Sequence, residues 1–262
     1  MTLIFSNMTV MITGASSGFG ESTARLFAKY GARLVIIARR KDRLEKLAKE
    51  LYKTYQTESF ILPIDITDFK LVEQSLNNLP EHFAIPNILI NNAGMVRGMD
   101  KLWEINPHEW NEMLDLNVKG VLNMTRLIVP KMLASNRGHV INVGSTSSHG
   151  TYPGGGVYCA SKYALKAMTD TLRMELIATP VQVSMISPGM AETEFSIVRF
   201  SGDKEKAHHV YDGIEPLTAE DIAEAILFIA SRPSHVNIAD IVIYPKNQAS
   251  PTMVHRKINN LA

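Results

Sequence analysis

Cysteine is scarce in this sequence: Cys159 is the single one in 262 residues. One thiol excludes an internal disulfide framework and any multi-cysteine metal site, and it favours a reducing compartment. Charge of one sign is missing too. The 27 basic and 26 acidic residues leave a net charge of +1, so no basic field exists to attract nucleic acid or an anionic membrane. No apolar run reaches the ~18 residues needed to span a bilayer. Residues 1–14 are apolar, but they lack a positive n-region and run straight into a glycine turn. They read as a first strand and not as a signal peptide. No repeat, low-complexity segment or Pro/Gly/Ser-rich linker divides the chain. The expectation is a soluble cytoplasmic protein without nucleic-acid or membrane partners.

Hydrophobic residues supply 45% of the chain and charged residues 20%. That balance offers enough apolar surface to offset the ordering entropy, so a disordered chain is excluded. The length fits one α/β domain over residues 1–262. Strand candidates are residues 9–13, 33–37, 60–63, 88–91, 139–143, 181–186 and 241–244. Several are nearly continuous Val/Ile/Leu runs, the pattern of strands buried on both faces of a parallel sheet. Helical spacing fills most gaps. Residues 21–30 keep Ala24, Leu26, Phe27 and Ala28 on or near one side, with Gly31 as the stop. Residues 42–51 space Leu44, Leu47, Ala48 and Leu51 three and four apart. Thr218 and Asp221 form a capping-box-like start for a helix ending near Ile229. Residues 190–216 break the alternation as an irregular insertion, either a lid over a site or a floppy surface loop. The tail after Pro245 has little periodicity; it is either disordered or docks on another subunit.

Chemistry concentrates at three places. After the first strand comes Thr13-Gly14-Ala15-Ser16-Ser17-Gly18-Phe19-Gly20, then a helix. Glycines there permit a tight turn and close backbone approach to a pyrophosphate, which the helix N-terminus then receives. The second strand ends Ala38-Arg39-Arg40, where an NAD site places an acid for the ribose 2′-hydroxyl. A guanidinium suits a 2′-phosphate, so NADP is expected over NAD; the competing reading is two solvated arginines. Third, Tyr158 and Lys162 lie four apart in a helical pattern and share a face. A nearby ammonium would lower the tyrosine's pKa from about 10. Ser145 follows a buried strand at its carboxyl end, where open α/β sheets place ligands.

These elements together resemble the short-chain dehydrogenase/reductase family. The matching pieces are the glycine run from Thr13 to Gly20, Asn91-Asn92-Ala93-Gly94, Asn117, Ser145, Tyr158-x-x-x-Lys162 and Ser187-Pro188-Gly189, in family order over about residues 8 to 245. The resemblance implies a single-domain, doubly wound Rossmann-type parallel sheet of about seven strands, helices on both faces, and hydride transfer with NADP(H). Tyr158 resembles the family's proton donor and acceptor, and Lys162 its partner at the nicotinamide ribose. Ser145 matches the holder of the substrate oxygen, and Asn117 the support of a water-linked proton relay. Asp65 and Ile66 match the adenine contacts, Asn92 the residue beside the adenosine ribose, and Pro188 to Ser196, with Gly189 and Thr193 in it, the segment past the nicotinamide.

Within the family, residues 17–21, 38–40, 193–203 and 235–238 resemble the NADP-dependent 3-hydroxy acid dehydrogenases, which also act on serine-like hydroxy acids and semialdehydes. The implied substrate is a short anionic hydroxy acid or aldehyde. Sulfoacetaldehyde reduction to isethionate is the runner-up, and a non-catalytic NADP-binding sensor is the alternative of another class. Arg199, in the insertion, is the candidate for holding the substrate anion, with Arg97 as the alternative. A homo-oligomer, expected as a tetramer, follows from the resemblance, through helices at residues 110–134 and 158–178. Cys159 reads as packing, and His149 as a loop residue or a substrate contact. His208 and His209 lack a ligand pattern, and no metal is assigned.

Overall fold

Runs of Val, Ile and Leu form the parallel sheet at the centre of the molecule. In the computed structural model, which describes residues 3–200 and 202–257, the strands are β1 Thr9–Thr13, β2 Arg33–Ile37, β3 Ser59–Leu62, β4 Ile88–Asn91, β5 Gly138–Val143, β6 Val181–Pro188 and β7 Asp240–Ile243. Their order is β3-β2-β1-β4-β5-β6-β7, with every pair parallel. This is the expected seven-stranded, doubly wound Rossmann-type arrangement. β1, β2 and β4 have the expected bounds, and the other strands shift by one or two residues at their ends.

Alternation along each strand feeds two cores. Val10, Ile12, Leu34, Ile36, Ile88 and Ile90 point to one face. There they meet α1 (Gly18–Lys29), α2 (Lys41–Tyr55) and α10 (Ala219–Ala230). Met11, Val35, Ile37, Leu89 and Val140 point to the other. That face is covered by α3 (Phe69–Asn77), α6 (Val121–Ala134) and α7 (Gly156–Glu175). Because both faces are covered, all five residues of β1 are buried. Each fully buried Leu, Ile or Phe contributes roughly 1.5–3 kcal/mol, and this driving force makes the helices pack.

The strand order reverses between β1 and β4, which opens a crevice at their carboxyl ends. A short helix, α4 (Glu81–Ala84), precedes β4, and α5 (Pro107–Leu114) follows it. Residues 110–134 are not one regular helix. A π-helical turn, Asp115–Gly120, joins α5 to α6 and turns Asn117 inward. Such wide turns serve functional sites often.

Two expectations need correction. Residues 190–216 are not irregular: they contain α8 (Glu194–Arg199) and α9 (Lys204–His209), each capped by an Asp or Thr side chain. A parallel bridge between Ala191 and Leu217 ties the two ends of the segment together. The tail folds back on its own chain. Arg256 Nη2 donates to Val210 O at 3.0 Å, Lys257 N donates to Gly213 O at 2.8 Å, and Gln248 bridges antiparallel to Val254. Position 201 of the insertion, residues 258–262 of the tail and residues 1–2 lie outside the described residues.

Candidate active site

The glycine turn leaves β1 at Thr13, whose Oγ1 accepts from the backbone N–H of Asn92 at 3.0 Å and of Ala93 at 2.9 Å. Asn92 Nδ2 donates back to Thr13 O at 2.9 Å. These bonds weld the β1 and β4 ends on either side of the crevice. Gly14 has φ +68, and a Cβ there would lie 2.8 Å from Asn92 Nδ2; only glycine fits. Ser17 caps α1 with no side-chain hydrogen bond, so the first backbone N–H groups of α1 face the cavity mouth with their positive dipole end.

At the end of β2, Arg39 is 70% exposed and lies 3.6 Å from Asp65. Arg40 is engaged: Nε and Nη2 donate to Ser16 Oγ, and Nη2 donates to Ser17 Oγ. The two arginines therefore differ. Arg39 is the exposed cation, while Arg40 braces the glycine turn.

Beyond β5, Ser145 caps the short 3₁₀ turn Thr146–Ser148, its Oγ accepting from Ser147 N at 3.1 Å. Helix α7 then brings Tyr158 and Lys162, one turn apart, to the same place. Lys162 Nζ donates to Val143 O at 3.0 Å and stands 5.9 Å from the centre of the Tyr158 ring. Asn117 accepts from Met95 N and donates to Met95 O, both at 2.8 Å, and donates to Ser161 Oγ at 3.0 Å. Its side chain thus locks the loop after Gly94 to α7.

The charges depart from the sequence expectation. Burial raises the Tyr158 hydroxyl above its ordinary value. Tyr152 nearby adds to this, and the Ser145 hydrogen bond and the Arg199 charge oppose it. Burial lowers the Lys162 ammonium to about 8. Lys162 therefore does not bring Tyr158 below its ordinary value in this state, because burial dominates the shift of each group. The tyrosine rests as a neutral phenol.

Residues 190–216 roof this end. Phe195 packs on Tyr158, with ring centres 5.9 Å apart. Arg199 donates through Nη2 to the Tyr152 hydroxyl, its guanidinium 5.7 Å from that ring, and its buried Nε has no partner among the described residues. Arg97 is committed elsewhere: Nε pairs with Glu112 at 3.0 Å and Nη1 donates to Val198 O at 3.1 Å. Both arginines line the cavity; Arg97 is held by two hydrogen bonds, whereas Arg199 carries a buried nitrogen with no partner among the described residues.

One cavity of about 730 Å³ joins these parts. It is lined by Gly14, Ser16, Ser17, Gly18, Phe19, Arg39, Arg40, Asp65, Ile66, Asn92 and Thr193 at one end, and by Ser145, Tyr158, Lys162, Pro188, Gly189 and Arg199 at the other. Three sequence candidates lie off it. Ala15 and Gly20 are buried in the turn, and Asn117 is buried behind Met95. His149 also faces away, its Nε2 lying 3.0 Å from Ser187 Oγ and 3.3 Å from Asp240. Sequence reasoning missed Tyr152 and the tail residues Pro251, Thr252, Val254 and Arg256, all of which line the cavity, and reached Glu194 only as a member of the segment 188–196. Their neighbours are remote in the chain, so no local pattern marks them.

A family model described as short chain dehydrogenase matches residues 8–203. The NADP-dependent 3-hydroxy acid dehydrogenase of Schizosaccharomyces pombe is 44% identical over 250 residues, covering 95% of this chain and 96% of that protein. Sulfoacetaldehyde reductase 2 of Chromohalobacter salexigens is 39% identical over 241 residues, covering 92% of this chain and 95% of its own. Among solved structures, the closed form of serine dehydrogenase complexed with NADP+ superposes with a TM-score of 0.89 at 38% identity, covering 95% of this chain and all of that one. Serine dehydrogenase from Escherichia coli gives 0.80 at 34% identity, covering 92% of this chain.

Proposed function

The chain belongs to the short chain dehydrogenase family, and from that premise we propose that it moves a hydride between NADP(H) and a short anionic hydroxy acid or aldehyde. The observation that carries this reading is the single cavity that holds both ends of the reaction. At one end are the glycine turn, the open N-terminus of α1 and the exposed Arg39; at the other are Ser145, Tyr158 and Lys162 under Arg199. The residues fit the cofactor. The turn and α1 would hold the pyrophosphate, Arg39 the 2′-phosphate, Asp65 and Ile66 the adenine, and Lys162 the nicotinamide ribose. When bound, the nicotinamide supplies or accepts the hydride.

The protein's own part is protonic and electrostatic. Ser145 holds the substrate oxygen and stabilises charge growing there. Tyr158, resting as a neutral phenol, donates the proton in reduction and accepts it in oxidation. Lys162 keeps a positive charge beside it. Asn117 acts at one remove, fixing Met95 and α7. Residues 190–216 act as the lid: Phe195 covers Tyr158 and excludes water. Arg199 directs its free Nε at the carboxylate or sulfonate.

A substrate panel tests the proposal. Malonate semialdehyde and sulfoacetaldehyde with NADPH, and serine with NADP+, are followed by cofactor absorbance. Turnover of a carboxylate substrate is expected. The sulfonate version is favoured instead if sulfoacetaldehyde has the higher kcat/KM, a reading supported by the reductase relative. No turnover with any short aldehyde would leave the sensor. The proposal carries a cytoplasmic location and a homotetramer. Leu114, Leu122, Leu133 and Tyr163 stay exposed along α5 to α7 and offer the apolar face for pairing. Among the described residues, no helix is long and apolar enough to cross a membrane. Light scattering giving a mass near 29.1 kDa would count against the oligomer.

A further inference from the structure

Glu194 opens α8, directly after Thr193, and lines the cofactor end of the cavity. Its carboxylate accepts from Arg43 Nη1 at 2.7 and 2.8 Å and from Arg40 Nη1 at 2.9 Å. Arg40 in turn holds the hydroxyls of Ser16 and Ser17 in the glycine turn. Thr193 lies against Gly18, its side chain at 3.4 Å from where a Cβ on that glycine would stand. The contacts therefore cross the glycine turn from α2 to the lid, joining residues 151 and 154 apart in sequence.

A carboxylate beside a phosphate site is costly unless cations neutralise it. Two guanidinium groups do so here. Partial burial pushes the Glu194 carboxyl up, but the hydrogen bonds from Arg43 and Arg40 outweigh it and keep the group ionised. Arg43 is not part of the cavity lining and meets it through Glu194. The rest of the lid has no other ion pair to α2 among the described residues.

We propose that Glu194 is a positioning residue that fastens the lid to α2 across the bound dinucleotide, so that parting Glu194 from Arg40 and Arg43 gates NADP(H) release. The inference rests on the NADP(H) reading above. It is tested on the full-length protein by stopped-flow chase, with the fluorescence of bound NADPH displaced by excess NADP+. Glu194→Gln and Arg43→Ala should each raise the NADPH dissociation rate constant about two- to five-fold, the scale of a half-exposed ion pair. NADH should leave faster by a similar factor, since the latch braces the glycine turn that would hold the pyrophosphate of either cofactor. The double variant should go little further than either single one. Salt, which screens such pairs, should speed release from the unaltered protein more than from Glu194→Gln, which keeps only the salt dependence of the cofactor's own phosphate contacts. Both residues are about 40% exposed, so neither change threatens folding. Unchanged release in both variants overturns the latch. Slower NADPH release in Glu194→Gln overturns it as well, and would mean that Glu194 only competes with the 2′-phosphate for Arg40. If the unaltered protein binds no NADPH, the cofactor reading fails first and the latch falls with it.

Discussion

Arg199 and Tyr152 form one unit: the guanidinium donates through Nη2 to the phenol oxygen and lies over the ring, leaving its buried Nε unpartnered. A buried donor without an acceptor is unfavourable by about 1–3 kcal/mol, and an anionic substrate would relieve that. Arg199→Ala should therefore lower kcat/KM for anionic substrates by a factor on the order of 10–100, from a charge-assisted bond of about 1.5–3 kcal/mol. A neutral short aldehyde should lose far less. Steady-state kinetics on a charged and an uncharged aldehyde decide it; equal losses would make Arg199 a lid support only.

Tyr158→Phe should cut kcat by roughly 10²–10⁴-fold, the usual worth of general acid–base help. The ring keeps its place against Phe195, so NADPH affinity should hardly change. Fluorescence titration alongside single-turnover rates checks both halves. A near-normal kcat would assign the proton to another group.

The pH profile of reduction should carry one limb near neutrality. Burial raises Tyr158, so it stays protonated throughout. Burial lowers Lys162 to about 8, so its charge is present below that pH and lost above it. The rate should be flat at pH 6–7 and fall through about 8. Lys162→Arg, which keeps its charge, should abolish that limb whatever it does to the plateau rate.

Cofactor preference should rest on Arg39. It is exposed and held only loosely at 3.6 Å by Asp65, so it is free to turn to a phosphate. Arg39→Ala should raise KM for NADPH about ten-fold, the loss of one charge-assisted bond, and leave NADH use almost unchanged. Equal efficiency of the unaltered protein with both cofactors would remove the basis for this assignment.

Stability should fall on acidification through His139. This imidazole is buried, bonded to Ser184 Oγ, and burial lowers its pKa from 6.5 to about 4. Between those values the unfolded chain takes up the proton and the folded protein does not, so stability is lost as pH drops. The loss should approach about 3 kcal/mol near pH 4. His139→Asn should flatten the dependence of Tm on pH over this range. An unaltered slope would show that other groups set it.

The strands, their burial on both faces and the β1–turn–α1 unit were readable because they depend on neighbours in sequence. A run such as Thr9 to Thr13 states its own environment, and Gly14 and Gly18 state their own backbone. Ser145, Tyr158 and Lys162 were legible as a spacing on a known topology. What only the tertiary structure decided involves groups far apart in the chain. Arg40 braces a turn while Arg39 stays free; Arg199 keeps a donor that Arg97 has spent on Glu112; the tail returns over residues 210–213. The resting charges belong there too. Burial, a property of packing alone, raised Tyr158 and lowered Lys162 against the expectation drawn from their four-residue spacing. Sequence pattern fixes which side chains share a strand or a turn. The desolvation of a charge and the partner a guanidinium finds are set by atoms that arrive from elsewhere in the chain.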